Sequence, residues 1–153
     1  MFLGPERTDP LLLPELDGTV EAPGTELVVA RLQVDGAALA DVRAWLRVVV
    51  ADHGWPPPTE RTLLLLTTEL VANAQNHGPE GGRVALTLGC VGDLLRVAVD
   101  DDGAAPPVVR RPAPEALDGR GMLLVDRMAQ AWGSDRRPDG GKTVWFTLPV
   151  GSP

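Results

Sequence analysis

ELVANAQNHG, residues 69–78, is the most informative segment of this chain, and it ends an apolar, helix-like run that begins at Thr62. The segment carries a carboxylate, Glu69, and an amide, Asn73, four positions apart. On an α-helix that spacing puts both side chains on one face, about one turn apart. A carboxylate that can attract the proton of a hydroxyl, next to an amide oxygen suited to a hard cation, is typical of a phosphoryl-transfer site.

Three glycine-bearing segments follow in order: DDDG at residues 100–103, GRG at 119–121 and GGKT at 140–143. Each is a weak signal alone, but the ordered set is not. GGKT is not a P-loop, because that motif needs a glycine where Arg136 stands and a helix where a strand pattern follows. GRG does not begin a dinucleotide-binding motif, because Leu124 stands where a third glycine is required.

Composition limits the class of protein. A chain of 153 residues, 44% apolar and 23% charged, is most simply one globular domain. Its apolar runs are shorter than the roughly 18 residues of a membrane span, and the start lacks the basic region of a signal peptide. The single Cys90 allows no internal disulfide. We therefore expect a cytoplasmic protein that does not bind membranes. The net charge of −7 argues against direct binding of nucleic acid.

The first half of the chain predicts a strand and two helices. Residues 1–24 are rich in proline and glycine and predict a flexible arm. A strand is predicted at 26–34, and a helix at 37–52 with Asp35 as its N-cap. The next helix is expected to be capped by Thr59 with Thr62 and to run to residue 76.

The second half predicts mainly strands, at residues 83–88, 94–100 and 143–150, with a hairpin loop at 89–93 and a short helix at 122–129. The proline-rich segment 106–118 predicts a surface loop. Two early helices and four or more mostly antiparallel strands predict an α+β fold. We expect a two-layer sandwich, with the helices packed on one face of the sheet, formed by residues 25–150.

The four segments together resemble the nucleotide-binding domain shared by gyrase-type topoisomerases, heat-shock chaperones, histidine kinases and mismatch-repair ATPases, the GHKL or Bergerat fold with its mixed, mostly antiparallel sheet. ELVANAQNHG, VDDDGAAPP, GRGMLLVDRMAQAWG and GGKTVWFTLP are most similar to the small anti-sigma-factor serine/threonine kinases of actinobacteria. The resemblance covers about residues 26–150. It implies ATP and Mg²⁺ as cofactors.

The resemblance also implies roles for individual residues. Glu69 is expected to act as the general base or to orient the attacking group, and Asn73 to bind both the nucleotide and Mg²⁺. Asp101 is expected to accept a hydrogen bond from the adenine amino group, because guanine presents a carbonyl oxygen there. Such a bond contributes about 1.5–3 kcal/mol. Gly103 would give the backbone room near the base, and the hydroxyl of Thr143 would assist Asp101.

The remaining expected nucleotide contacts lie around the second glycine segment: Gly119, Arg120, Gly121 and Met122, whose amides at a helix start would meet triphosphate oxygens. Residues 106–118 would form a mobile lid over the nucleotide. One position departs from the pattern of the family, since Ala105 stands where a second glycine is usual.

Two functions follow from the resemblance. The first is a Mg-ATP-binding serine/threonine kinase that phosphorylates an antagonist protein and sequesters a sigma factor, with homodimerisation as a further expectation. The alternative is an ATP-gated protein-binding module with little or no catalysis. A complete sensor histidine kinase is disfavoured, because neither His53 nor His77 has the acidic and proline residues usual around a phosphoacceptor.

Ala105→Gly should tighten ATP binding. If the site requires a positive φ, alanine costs about 1–2 kcal/mol there, which corresponds to roughly 5- to 30-fold in affinity. Isothermal titration of both proteins with ATP measures the difference. An unchanged affinity would mean that the backbone at residue 105 is unstrained.

Overall fold

The computed structural model of the protein describes residues 27–104, 107, 109 and 121–151. In these ranges the chain forms five strands and three helices, in the following order: β1 (Leu27–Gln33), α1 (Leu39–His53), α2 (Pro57–His77), β2 (Val84–Val91), β3 (Leu94–Asp101), α3 (Gly121–Met128), β4 (Ala131–Arg136) and β5 (Lys142–Pro149). The expected arm at residues 1–24, the bulk of the expected lid, Ala105, Gly119 and Arg120 lie outside the described residues.

The strands form one sheet in the order β1-β2-β3-β5-β4, and every neighbouring pair of described strands is antiparallel. Strand β5 shows how the sheet is packed, since Val144, Phe146 and Leu148 are buried and the residues between them are half-buried. This alternation of period two buries one sheet face under the helices and leaves the other face more accessible. The predicted α+β sandwich with helices on one face is confirmed.

Helix α2 is the longest helix described and packs on the centre of the sheet. Leu63, Leu66 and Leu70 are at most 2% exposed and repeat at helical spacing, so one face of α2 lies in the core. Its first turn is tied to the end of the last strand, because the Thr59 hydroxyl donates to the backbone oxygen of Val150 at 2.6 Å. The direction of α2 over the sheet is thus fixed at its start.

Two predicted helix caps are wrong. Asp35 does not cap α1, whose N-cap is Ala38 with no side-chain bond. The Asp35 carboxylate instead accepts from the backbone N–H of Val84 at 2.7 Å, because β1 and β2 pair side by side at that point. Thr59 is not an N-cap either, since α2 begins at Pro57, where a proline's missing N–H costs nothing.

The β2–β3 hairpin is tighter than predicted, and one strand was missed. Ladder pairing continues to Val91, so the turn consists of Gly92 and Asp93 alone, with Gly92 at φ 61°. Edge strand β4, with the sequence AWGSDR, lacks an apolar-polar alternation and was not predicted. It pairs with β5 on one side. Within the described ranges, none of the helices combines the length and apolar character that a bilayer crossing requires.

Candidate functional site

Helix α2 carries two polar side chains that are only partly buried. Glu69 and Asn73 are both half-buried and lie one turn apart, as the sequence predicted from their spacing. Farther along the helix, Asn76 and His77 are exposed. The neighbouring core leucines fix the rotation of α2 about its axis, so Glu69 and Asn73 cannot turn inward without exposing apolar surface.

The start of helix α3 lies directly against Glu69. A Cβ atom added to Gly121 would fall 2.7 Å from Oε1 of Glu69 and 3.5 Å from its Cβ. Glycine at this position therefore lets the two helices approach closely enough for the α3 amino end to contact the carboxylate. The next residue, Met122, is 4% exposed and packs in the core, so its role as a nucleotide contact stays a prediction.

Burial raises the pKa of the Glu69 carboxyl above its ordinary value, because the charged form loses solvent around it. A carboxylate with a raised pKa is a stronger base than an exposed one. Glu69 is thus chemically suited to accept a proton from a hydroxyl held next to it.

A second cluster lies at the end of strand β3. Asp101 is 2% exposed, and its Oδ1 accepts from the backbone N–H of Gly103 at 2.7 Å and from Nζ of Lys142 at 2.9 Å. No donor in the described part of the chain reaches Oδ2, although this atom is also buried. A buried carboxylate oxygen without a donor is costly, so it is a candidate acceptor for a ligand.

Two glycines bring this cluster against the end of α2. A Cβ on Gly103 would lie 3.3 Å from Cα of Gly78, 3.1 Å from Oδ1 of Asp101 and 3.4 Å from Nζ of Lys142. Space, not backbone conformation, therefore favours glycine at residue 103. Since Glu69 and Gly78 are nine residues apart on one helix, the two clusters lie about 13 Å apart along its axis.

The predicted contact between Thr143 and Asp101 is wrong. Successive residues of β5 point to opposite faces, and the hydroxyl of Thr143 donates to Oδ1 of Asp100 on the face away from the helices. Lys142, the cross-strand partner of Asp101, holds the position expected of the hydroxyl. Thr143 as a nucleotide contact stays a prediction, without the contact that motivated it.

Arg137 is a supporting residue that the sequence did not reveal. Its Nη1 donates to the backbone oxygens of Asp101 at 3.2 Å and of Lys142 at 2.8 Å, and its Nη2 contacts Asp139 at 3.1 Å. The guanidinium thereby joins the ends of β3 and β5 from the side opposite the Asp101 carboxylate. Only the turn between β4 and β5 brings it there.

A cavity of about 360 Å³ opens beside Asp101 at the end of α2. It is lined by the turn after β1, by Ala74, Gln75 and Gly78, and by residues 79–84. The amide of Gln75 donates to the backbone oxygens of Val34 and Ala37, both at 3.0 Å, and so ties α2 to that turn. Glu69, Asn73 and Gly121 do not line this cavity, which borders the candidate site at Asp101 alone.

The sequence predicted that the Asn73 amide holds Mg²⁺ together with a nucleotide. Among the described residues, no group of three or more His, Cys, Asp or Glu side chains could hold a metal ion. A cation held through the Asn73 amide would thus need phosphate oxygens and waters as further ligands. Mg²⁺ commonly binds proteins in this way.

Comparison with known proteins shows the family of the chain. The sequence matches the model of the histidine kinase-like ATPase domain over residues 32–148. The chain belongs to this family. ATP is accordingly the ligand to which this domain is suited, and the sequence-based assignment to the GHKL fold is confirmed. Comparison with curated proteins finds no significant match.

Three solved structures are similar to this chain, and the first of them agrees with the fold. The RsbU and RsbW domains of Rv1364c from Mycobacterium tuberculosis match 82% of this chain at 20% identity with a TM-score of 0.58, and the chain spans 34% of that protein. The histidine kinase domain from the Erythrobacter litoralis EL346 blue-light-activated kinase matches 71% of this chain and 61% of that one, at 22% identity and a TM-score of 0.48. The catalytic domain of histidine kinase ThkA matches 80% of this chain and 98% of that one, at 15% identity and a TM-score of 0.47.

Glu69→Gln should stabilise the folded protein at neutral pH. Because the pKa of Glu69 is raised on folding, the folded state binds more protons than the unfolded one between the two pKa values, and wild-type stability falls as pH rises through that window. Urea unfolding at pH 4 and pH 7.5 measures the effect. The gain over wild type should appear at pH 7.5 and shrink at pH 4, whereas the exposed control Glu80→Gln should change little at either pH. A Glu69→Gln protein less stable than wild type at pH 7.5 would contradict the assigned burial cost.

Proposed function

We propose that this protein is a Mg-ATP-binding regulatory kinase of the anti-sigma-factor type, which phosphorylates a serine or threonine of an antagonist protein. The observation that carries the proposal is the buried Asp101 carboxylate, whose Oδ2 has no donor in the described part of the chain. This acceptor lies in one domain with a half-buried base, Glu69, on the helix that ends beside it. Membership of the ATPase family supports the nucleotide.

The base-recognising end of the site would be Asp101 with Gly103. The adenine amino group would donate to Oδ2, while Oδ1 keeps its two protein donors. A guanine base would place a carbonyl oxygen against the same carboxylate and be repelled. Loss of a hydrogen bond to a charged group costs about 1.5–3 kcal/mol, so this one contact can select adenine over guanine by tenfold or more.

The phosphoryl-transfer end would be formed by Glu69, Asn73 and the start of α3. The hydroxyl oxygen of the substrate attacks the γ-phosphorus, its proton passes to the Glu69 carboxylate, and the bond from the γ-phosphorus to the bridging oxygen breaks to release ADP. Asn73 would hold Mg²⁺, which neutralises charge on the phosphates. Gly119, Arg120 and Gly121 would direct backbone amides to phosphate oxygens.

The partners would be proteins: a sigma factor, its antagonist, or both, and a second copy of this chain in a homodimer. This part of the proposal is supported by the sequence resemblance and by the similarity in fold to a structure whose name includes an RsbW domain. The net charge of −7 is consistent with partners other than nucleic acid.

An ATP-gated binding module without turnover is the alternative, and Ala105 is the specific observation that favours it. An altered glycine loop could preserve a shape change on nucleotide binding and yet misplace the γ-phosphate. Nucleotide binding without phosphorylation of any candidate partner would support this reading.

ATP should stabilise the protein against heat much more than GTP does. At about 100 times its Kd, a ligand adds roughly 2.7 kcal/mol of stability, which for a domain of this size raises Tm by about 5–10 °C. Differential scanning fluorimetry with Mg-ATP, with Mg-GTP and with Mg²⁺ alone makes the comparison. Equal shifts with the two nucleotides would contradict the role of Asp101.

Glu69→Gln should abolish phosphoryl transfer and leave ATP binding nearly intact. Removal of a positioned general base typically costs 10²- to 10⁴-fold in rate. Transfer of label from γ-³²P-ATP to a candidate antagonist measures the rate, and Glu80→Gln is the matched exposed control. Undiminished transfer by Glu69→Gln would exclude Glu69 as the base.

A further inference from the structure

Lys142 and Asp101 form a buried ion pair whose presence is not explained by stability. The side chains are 5% and 2% exposed, and Nζ lies 2.9 Å from Oδ1. Desolvation of two charges commonly offsets their attraction, so an apolar pair of similar volume would stabilise the fold equally well or better. Lys142 is also the only lysine in the sequence. A buried ion pair at this position therefore calls for a functional reason.

The arrangement around the carboxylate is asymmetric. Oδ1 accepts from both Lys142 and the Gly103 amide, whereas Oδ2 has no donor among the described residues. The two donors fix the rotation of the carboxylate, so that one particular oxygen is left free. The amide of Gly103 alone could not also compensate the negative charge.

Other charged groups near Asp101 do not replace the ammonium. Arg137, on the opposite face, donates to the backbone oxygens of Asp101 and Lys142 and forms its closest ion pair with Asp139. Asp102 faces Arg83 and Arg137. At the end of α2 and in the loop after it, His77 and Glu80 are exposed. In the described part of the chain, Lys142 is the one cation in contact with the Asp101 carboxylate.

We propose that Lys142 is the positioning residue that sets adenine specificity: its ammonium and the Gly103 amide together hold Oδ1, so that Oδ2 is presented as an acceptor to the amino group of the base. This proposal rests on the proposed function, because it assumes that Asp101 receives adenine. A carboxylic acid at this position could turn its O–H toward the adenine amino group, and two hydrogen-bond donors would then face each other without an acceptor. The ammonium compensates the negative charge of the carboxylate by direct contact, a task that a neutral threonine hydroxyl could not perform.

Lys142→Met tests the proposal with a side chain of similar length and no charge. Without its cation, the buried carboxylate takes up a proton more readily. Affinity for Mg-ADP, which carries the same base and is not consumed, should fall about tenfold or more at pH 6.5 and recover toward wild type by pH 9. Each variant is compared with wild type at the same pH by isothermal titration, so that protonation of the nucleotide itself cancels.

Three further variants make the result specific. Lys142→Arg keeps a cation and should stay within about threefold of wild type with no pH trend. Arg136→Met removes an exposed cation from the strand position paired with Lys142 and should not affect binding. The double variant D101N/K142M has no buried charge at this site, and its affinity relative to wild type should be independent of pH. A pH-independent loss in Lys142→Met, or a loss below twofold, would overturn the proposal.

Measurements without nucleotide separate this proposal from the proposed function. As pH rises from 5 to 8, the unfolding free energy of Lys142→Met should decline relative to that of D101N/K142M, because only the former binds an extra proton when folded. If the difference in unfolding free energy between the two variants does not change with pH, the role of Lys142 is overturned, whether or not ATP binds. If Lys142→Met does not fold, the other two variants decide. The proposal is supported if the affinity of D101N/K142M for Mg-ADP shows no pH trend and Lys142→Arg binds Mg-ADP tightly. Weak binding of Mg-ADP by Lys142→Arg at every pH contradicts it. Wild-type protein that binds neither ATP nor ADP would refute the proposed function itself.

Discussion

The packing of α2 across the sheet is the constraint on which the rest of the structure depends. Leu63, Leu66 and Leu70 are buried in one core with β-strand side chains, and contacts at both ends of the helix prevent it from sliding. At the start Thr59 donates to Val150, and near the end Gln75 donates to Val34 and Ala37. A helix held in this way must present its polar face at a fixed height and angle, which is how a half-buried base can lie at a set distance from an acceptor on β3.

The regular elements could be predicted because their patterns come from the same burial that forms them. The apolar-polar alternation in β3 and β5 indicates one buried face in each strand, and the leucine spacing in α2 indicates one buried face of the helix. Edge strand β4 shows no such alternation, since among the described strands it pairs with β5 alone and its residues are half-buried or exposed throughout. Gly133 in this strand lies against the ring of Trp145, where an added Cβ would be 2.7 Å from the indole. That contact shows only in three dimensions.

The parts of the candidate site that lie within one helix could be predicted from the sequence, but its contacts between different elements could not. The four-residue spacing of Glu69 and Asn73 is a property of one helix and was sufficient. The partner of Asp101 depends on strand register, and a shift of one residue moves a side chain to the other face of the sheet. Lys142 and Thr143 are neighbours in sequence, yet they serve opposite faces. Likewise, the contact of Gly121 with Glu69 joins residues from different helices, so it could not be predicted from a local sequence pattern.

The features of the site share one property: each costs stability. Glu69 is desolvated, Oδ2 of Asp101 is buried without a donor in the described part of the chain, and Lys142 is a buried cation. The leucine and valine core must offset these costs. The two ends of the site nevertheless differ in what they imply. An unpaired acceptor at Asp101 would serve any adenine-binding protein, catalytic or not. A half-buried carboxylate with a raised pKa at Glu69 adds nothing to nucleotide binding, since its negative charge repels phosphate. Its presence fits the proposed proton abstraction from a substrate hydroxyl better than it fits the alternative proposal of a module without turnover.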